Sequence, residues 1–72
     1  MEYIKGNTYL VTCDKPVVIK TKASMDGVDV TTYPPGHKID CISYTHDEHN
    51  NTWLRVNLGW VMATHGEEIL IQ

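Results

Sequence analysis

Seventy-two residues form a single domain spanning the whole chain, and a chain this short buries only about 60% of the surface its unfolded form exposes, which favours a compact sheet. A net charge of −3 with six scattered Lys and Arg residues excludes the basic face on which phosphate binding rests, so nucleic acid is not an expected partner. No apolar run of membrane-spanning length occurs, and Met1 to Asn7 lacks the charged and apolar regions of a signal peptide. The chain as given is therefore expected to be soluble and without an export address, unless it is a module cut from an exported protein or a product released by lysis.

The composition is rich in β-branched residues and tyrosine and contains no Phe, which predicts strands rather than helices. Tyr9 to Cys13 alternates, with Tyr9, Val11 and Cys13 on one face, and Asp14-Lys15-Pro16 ends it because Pro cannot donate to a ladder. Val17 to Thr21 is a second strand, with Val17, Ile19 and Thr21 sharing a face. Ala23 to Thr32 contains Asp26-Gly27, a pair suited to a primed hairpin turn, and predicts a projecting loop whose return limb carries Val28, Val30 and Thr32. Tyr33-Pro34-Pro35-Gly36 closes that limb as a corner.

His37 to Tyr44 reads as one strand, with Ile39, Cys41 and Ser43 on one face and Asp40, Ile42 and Tyr44 on the other. Thr45 to Thr52 is wholly polar and predicts an exposed loop. Trp53 to Val61 is the organising stretch: two short strands joined by a reversal at Asn57 to Gly59, with Leu54 and Val56 inside and Trp53, Arg55 and Asn57 outside. Ala63 to Glu68 reads as a helical or turn-like step, and Ile69-Leu70-Ile71 as a last strand pairing with the first.

Three pieces in this order resemble the bacterial Src-homology-three (SH3b) family over about Tyr9 to Leu70. They are Val17 to Ala23 after the first strand, Tyr33-Pro34-Pro35-Gly36-His37-Lys38-Ile39, and Trp53-Leu54-Arg55-Val56 followed by Gly59-Trp60-Val61. The chain departs from the family in having Lys22-Ala23 where a Gly-Pro is usual, and in the composition of the Thr45 to Thr52 loop. The resemblance implies an all-β fold, a small SH3-like β-barrel of five or six short antiparallel strands, used as a binding module for cell-wall peptides or glycans. A free-standing copy could instead be an adaptor or a phage-type inhibitor that grips another protein, since a fold does not fix a function.

No Ser/His/Asp or Cys/His arrangement has a recognisable context, so no catalytic residue and no cofactor is expected. Cys13 and Cys41 have core-facing parity, belong to no C-x-x-C spacing and read first as two buried thiols, with a disulfide as the alternative. His46-Asp47-Glu48-His49 is the one cluster of potential metal ligands, but positions three apart on an open loop do not converge as on a helix, and no metal site is assigned. The expected ligand site is an aromatic groove between the Asp26 loop and the Thr45 to Thr52 loop. There Trp53, Tyr44 and Trp60 supply apolar contact, Arg55 lies beside Trp53, and Asp26 and Asp29 supply charge selectivity. The expected partner is a peptide, a cell-wall component or a protein. The chain itself is expected to be a monomer or weak homo-oligomer, with Ile69-Leu70-Ile71 as the pairing edge.

Overall fold

A computed structural model describes residues 2–72 and forms eight β-strands: β1 Thr8–Leu10, β2 Val17–Lys20, β3 Asp29–Tyr33, β4 Lys38–Asp40, β5 Ser43–His46, β6 Thr52–Val56, β7 Gly59–His65 and β8 Glu68–Ile69. β1 and β4 pair as a small antiparallel sheet. The larger sheet runs β3-β2-β7-β6-β5, with β8 attached to β7. The alternation in Val17 to Lys20 and in Leu54 to Val56 places Val17, Ile19, Leu54 and Val56 in the core, joined by Val61 and Ala63 of β7. Val11, Ile39 and Cys41 close the core from the small-sheet side, and Tyr3 and Ile71 complete it from near the two ends of the chain. Tyr3 donates its hydroxyl to the Ile71 carbonyl at 2.6 Å, and burial, with Tyr9 and Cys41 nearby, pushes its phenol up to about 12.

The stretch expected as one strand, His37 to Tyr44, is two strands in two sheets. Up to Cys41 the chain is held by the N-terminal arm, with Gly6 N–H donating to the Cys41 carbonyl and Cys41 N–H donating to the Asn7 carbonyl. At the next residue Ile42 N–H donates instead to the Arg55 carbonyl. The change of partner buries Cys41 with Ile39 and turns Ile42 outward.

The SH3-like barrel is corrected by this topology: the two sheets are open. Among the described residues no ladder joins β3 or β5, the ends of the larger sheet's main path, to the small one, and Val11 and Ile71 form only an isolated bridge. The reason lies partly in the corner after β3. Pro34 and Pro35 have no N–H with which to prolong a ladder, and Gly36 at φ 86° turns the chain toward Val11. There Gly36 N–H donates to the Val11 carbonyl, and Val11 N–H to the His37 carbonyl.

Three local expectations are also revised. The step after Val61 is not helical: β7 continues to His65, and Gly66 at φ 63° returns the chain as β8. Asp26-Gly27 is no primed turn, since Gly27 keeps negative φ and its N–H closes on the Ser24 carbonyl at 3.0 Å. In the β6–β7 reversal, positive φ falls on Gly59, at 154°, and not on Asn57. A Cβ at Gly59 would collide with the Lys20 carbonyl oxygen, so glycine is required where β2 runs alongside the hairpin.

The expected pairing of the last segment with the first strand is seen in Thr12 N–H donating to the Leu70 carbonyl and Gln72 N–H to the Leu10 carbonyl. Those bonds, with β8 on β7, engage Leu70 and Ile71 with both the first strand and β7, whereas Ile69 pairs with Thr64 of β7 alone.

Candidate functional site

The second face of the larger sheet carries the side chains that alternate with the core. Cross-strand register aligns Lys20 with Trp60, Trp60 with Arg55, and Met62 with Trp53. Val18 shares the face by parity with Lys20. Over this surface the Asp14-Lys15-Pro16 turn, the Met25 loop and the region of Glu68 and Leu70 enclose a cleft of about 490 Å³. Its inner surface is apolar, built from Val18, Trp53 and Met62, while Lys15, Lys20, Asp14 and Glu68 bring charges of both signs to its lining.

Trp53 was expected to point away from Leu54, and it does, but it is only 1% exposed. An outward parity on a strand is not solvent exposure when loops cover the second face. The Trp53 indole N–H donates to Asp47 Oδ2 at 2.9 Å. Asp47 in turn accepts from the backbone N–H groups of His49 and Asn51, both at 2.9 Å, and from the Asn51 side-chain amide. Desolvation pushes this carboxyl up, but the bonds from Trp53, Asn51 and His49 outweigh it and hold it at about 2. Asn51 then accepts from Gly66 N–H at 2.9 Å, fastening the loop to the β7–β8 turn. The polar stretch expected to be a hydrated loop is thus a scaffold that fixes the tryptophan beneath the cleft. Among the described residues no group of three or more His, Cys, Asp and Glu side chains is placed to hold a metal ion.

The other candidate residues separate. Trp60 is half-buried with the Arg55 guanidinium 5.9 Å from its ring centre, an arrangement suited to cation–π attraction. Tyr44 aligns with Leu54, so it lies on the core side of the sheet at its free margin, against His46, and does not join the tryptophans. Asp29 is taken by Lys20, which also donates to the Gly27 carbonyl. Asp26 stands exposed on the turn after Ser24, whose hydroxyl oxygen accepts the Asp26 N–H. The expected single groove therefore resolves into a cleft over Trp53, an adjoining Arg55–Trp60 pair, and a separate Tyr44 margin.

No family model, curated protein or solved structure matches the chain. The SH3b assignment is thereby withdrawn, and the pieces that suggested it have local causes. Gly59 is demanded by the Lys20 carbonyl, and Gly36 by its positive φ after two prolines. Residues that sequence reasoning passed over, Val18, Lys20, Met25 and Met62, were signalled only by parity along β2 and β7. Which segments would fold over that face had no such signal.

Cys13 also lines the cleft, half-buried, with its thiol directed to the Lys15 carbonyl at 3.1 Å. Cys41 is buried on the other side of the sheet, and burial pushes its thiol up despite the opposing field of Lys5. Both thiols are free.

Proposed function

We propose that this protein is a non-catalytic binding domain that takes an extended peptide segment of another protein across the second face of its larger sheet. The carrying observation is the cleft of about 490 Å³ over Trp53 and Met62, within the size range of pockets that bury a ligand's apolar group. Side chains two apart on one strand face lie about 7 Å apart, the same repeat as in an extended ligand. An apolar residue seated against Val18 and Met62 would place its next like-facing neighbour near Arg55 and Trp60. Charges of both signs in the lining favour a mixed-charge peptide over a uniformly charged polymer. The cell-wall reading rested on the family resemblance, and without it only the peptide reading has a site behind it.

Selection of a random peptide library on the purified chain, followed by mapping of amide shifts, tests this. Enriched peptides should carry an apolar anchor, shift Val18, Lys20 and Met62, and bind about tenfold or more weakly to a folded Met62→Glu variant. Failure to enrich any peptide, or shifts confined to other surfaces, would overturn it.

A further inference from the structure

The path β3-β2-β7-β6-β5 of the larger sheet ends in two edges of different character. β3 is guarded: its register with β2 slips between Ile19 and Lys20, leaving Val30 as an extra residue, it carries the Asp29 charge, and Pro34 stops it. A bulge, a charge and a proline are the usual means by which a strand edge refuses another strand. β5 has neither a charge nor a proline, and its irregularity is confined to its start, where Ile42 N–H donates to the carbonyl of Arg55, the register partner of Ser43. Ser43 to His46 pairs with β6 in unbroken register, and Ile42 to His46 contains no Asp, Glu, Lys, Arg or Pro.

The direction of its backbone groups follows from the ladder. Asp47 N–H donates inward to the Asn51 carbonyl, in the same register that pairs Ser43 with Arg55 and Thr45 with Trp53. Antiparallel bonds alternate along a strand, so Ser43 and Thr45 also bond inward, and the N–H and C=O groups of Tyr44 and His46 face outward. Beside them Ile42 is 51% and Tyr44 40% exposed.

We infer that β5 pairs with β5 of a second copy of this chain, antiparallel and centred on Tyr44, joining two six-stranded sheets into one. This register is self-complementary. Tyr44 meets Tyr44 of the second copy in a hydrogen-bonded pair, Ser43 meets Thr45, and Ile42 meets His46. Aromatic and β-branched residues thus face one another and no like charges are opposed. The His46 N–H reaches the Ile42 carbonyl of the second copy, while the Ile42 N–H stays with the Arg55 carbonyl of its own chain, so three of the four outward groups of Tyr44 and His46 find partners. The surface lies on the opposite side of the sheet from the Trp53 cleft and is independent of the peptide reading.

Sedimentation of the full chain across a concentration series, with residue-resolved amide exchange at each concentration, tests the inference at physiological ionic strength. The expected result is a monomer–dimer equilibrium in which the Tyr44 and His46 amides alone among strand residues gain protection as concentration rises. Tyr44→Lys should weaken the dimer about tenfold or more while preserving the circular dichroism of the fold. Tyr44→Pro, which removes an outward donor and leaves the inner ladder intact, should do the same. A chain that stays monomeric at millimolar concentration would overturn the pairing. So would a dimer whose protection appears at β3 or over the cleft, or one that both folded variants leave unchanged.

Discussion

Asp47 shows how one side chain can decide the state of a larger one. Its carboxylate satisfies the buried indole N–H of Trp53 and two backbone N–H groups. Removing it in Asp47→Ala leaves a buried donor unpaired and should cost about 1–3 kcal/mol in urea unfolding. The acid response has a definite sign. The carboxyl drops from an ordinary 3.8 to about 2 on folding, so the unfolded chain holds the proton more tightly. The stabilisation is complete above about pH 4 and fades as pH falls toward 2. Asp47→Asn should flatten that part of the stability profile, and an unchanged slope between pH 4 and 2 would remove Asp47 as its source. The same residue marks a limit of sequence reading. Trp53, read as exposed from its parity, is covered because an acceptor six positions earlier folds back onto it, a contact that no periodicity encodes. Trp53→Ala should consequently report on stability, at about 3–5 kcal/mol, before it reports on any ligand.

Among the elements, the β6–β7 hairpin was the most legible, because Leu54, Val56 and Val61 set its two faces and Asn57 to Gly59 marked the reversal. Its glycine was legible for an incomplete reason. Turn geometry asks for a residue tolerant of positive φ, whereas the heavier demand comes from β2, whose Lys20 carbonyl occupies the space a side chain would need. Gly59→Ala should therefore destabilise by at least about 2 kcal/mol, more than conformational strain alone, and should loosen β2 as well as the turn. Loss of amide protection at Ile19 and Lys20 together with Val56 would show this, and loss confined to Asn57 and Leu58 would speak against it. The division of His37 to Tyr44 between two sheets was not legible, since Ile39, Cys41 and Ser43 alternate with Asp40, Ile42 and Tyr44 without interruption. The break comes from competition for partners between the N-terminal arm and β6, which lie far apart in sequence.

At the scale of the molecule, strand content and the inner face could be read from composition and alternation, but closure could not. Whether two sheets join into a barrel depends on where their edges end, and here paired prolines send the chain away from the larger sheet. The architecture also separates two thiols that the sequence treated alike. Cys41 is 1% exposed within the core, whereas Cys13 borders the cleft. A thiol-reactive dye should label Cys13 in the native protein and reach Cys41 only on global unfolding, because the thiolate that reacts is disfavoured by burial. Equal labelling rates at the two positions would contradict the placement of Cys41. Blocking Cys13 should also hinder peptide capture if that thiol borders the occupied part of the cleft.

The bond between the Tyr3 hydroxyl and the Ile71 carbonyl spans 68 positions of sequence. It sets an order of events for a chain being made. Ile71 is wholly buried against residues synthesised long before it, so the core cannot close until translation has passed this position and released it. Hairpins can form early, but a clasp between the first and last parts of the core imposes a long loop-closure search, the topology associated with slow folding. During synthesis the apolar inner face must wait uncovered until Ile71 has been made and is free to join it.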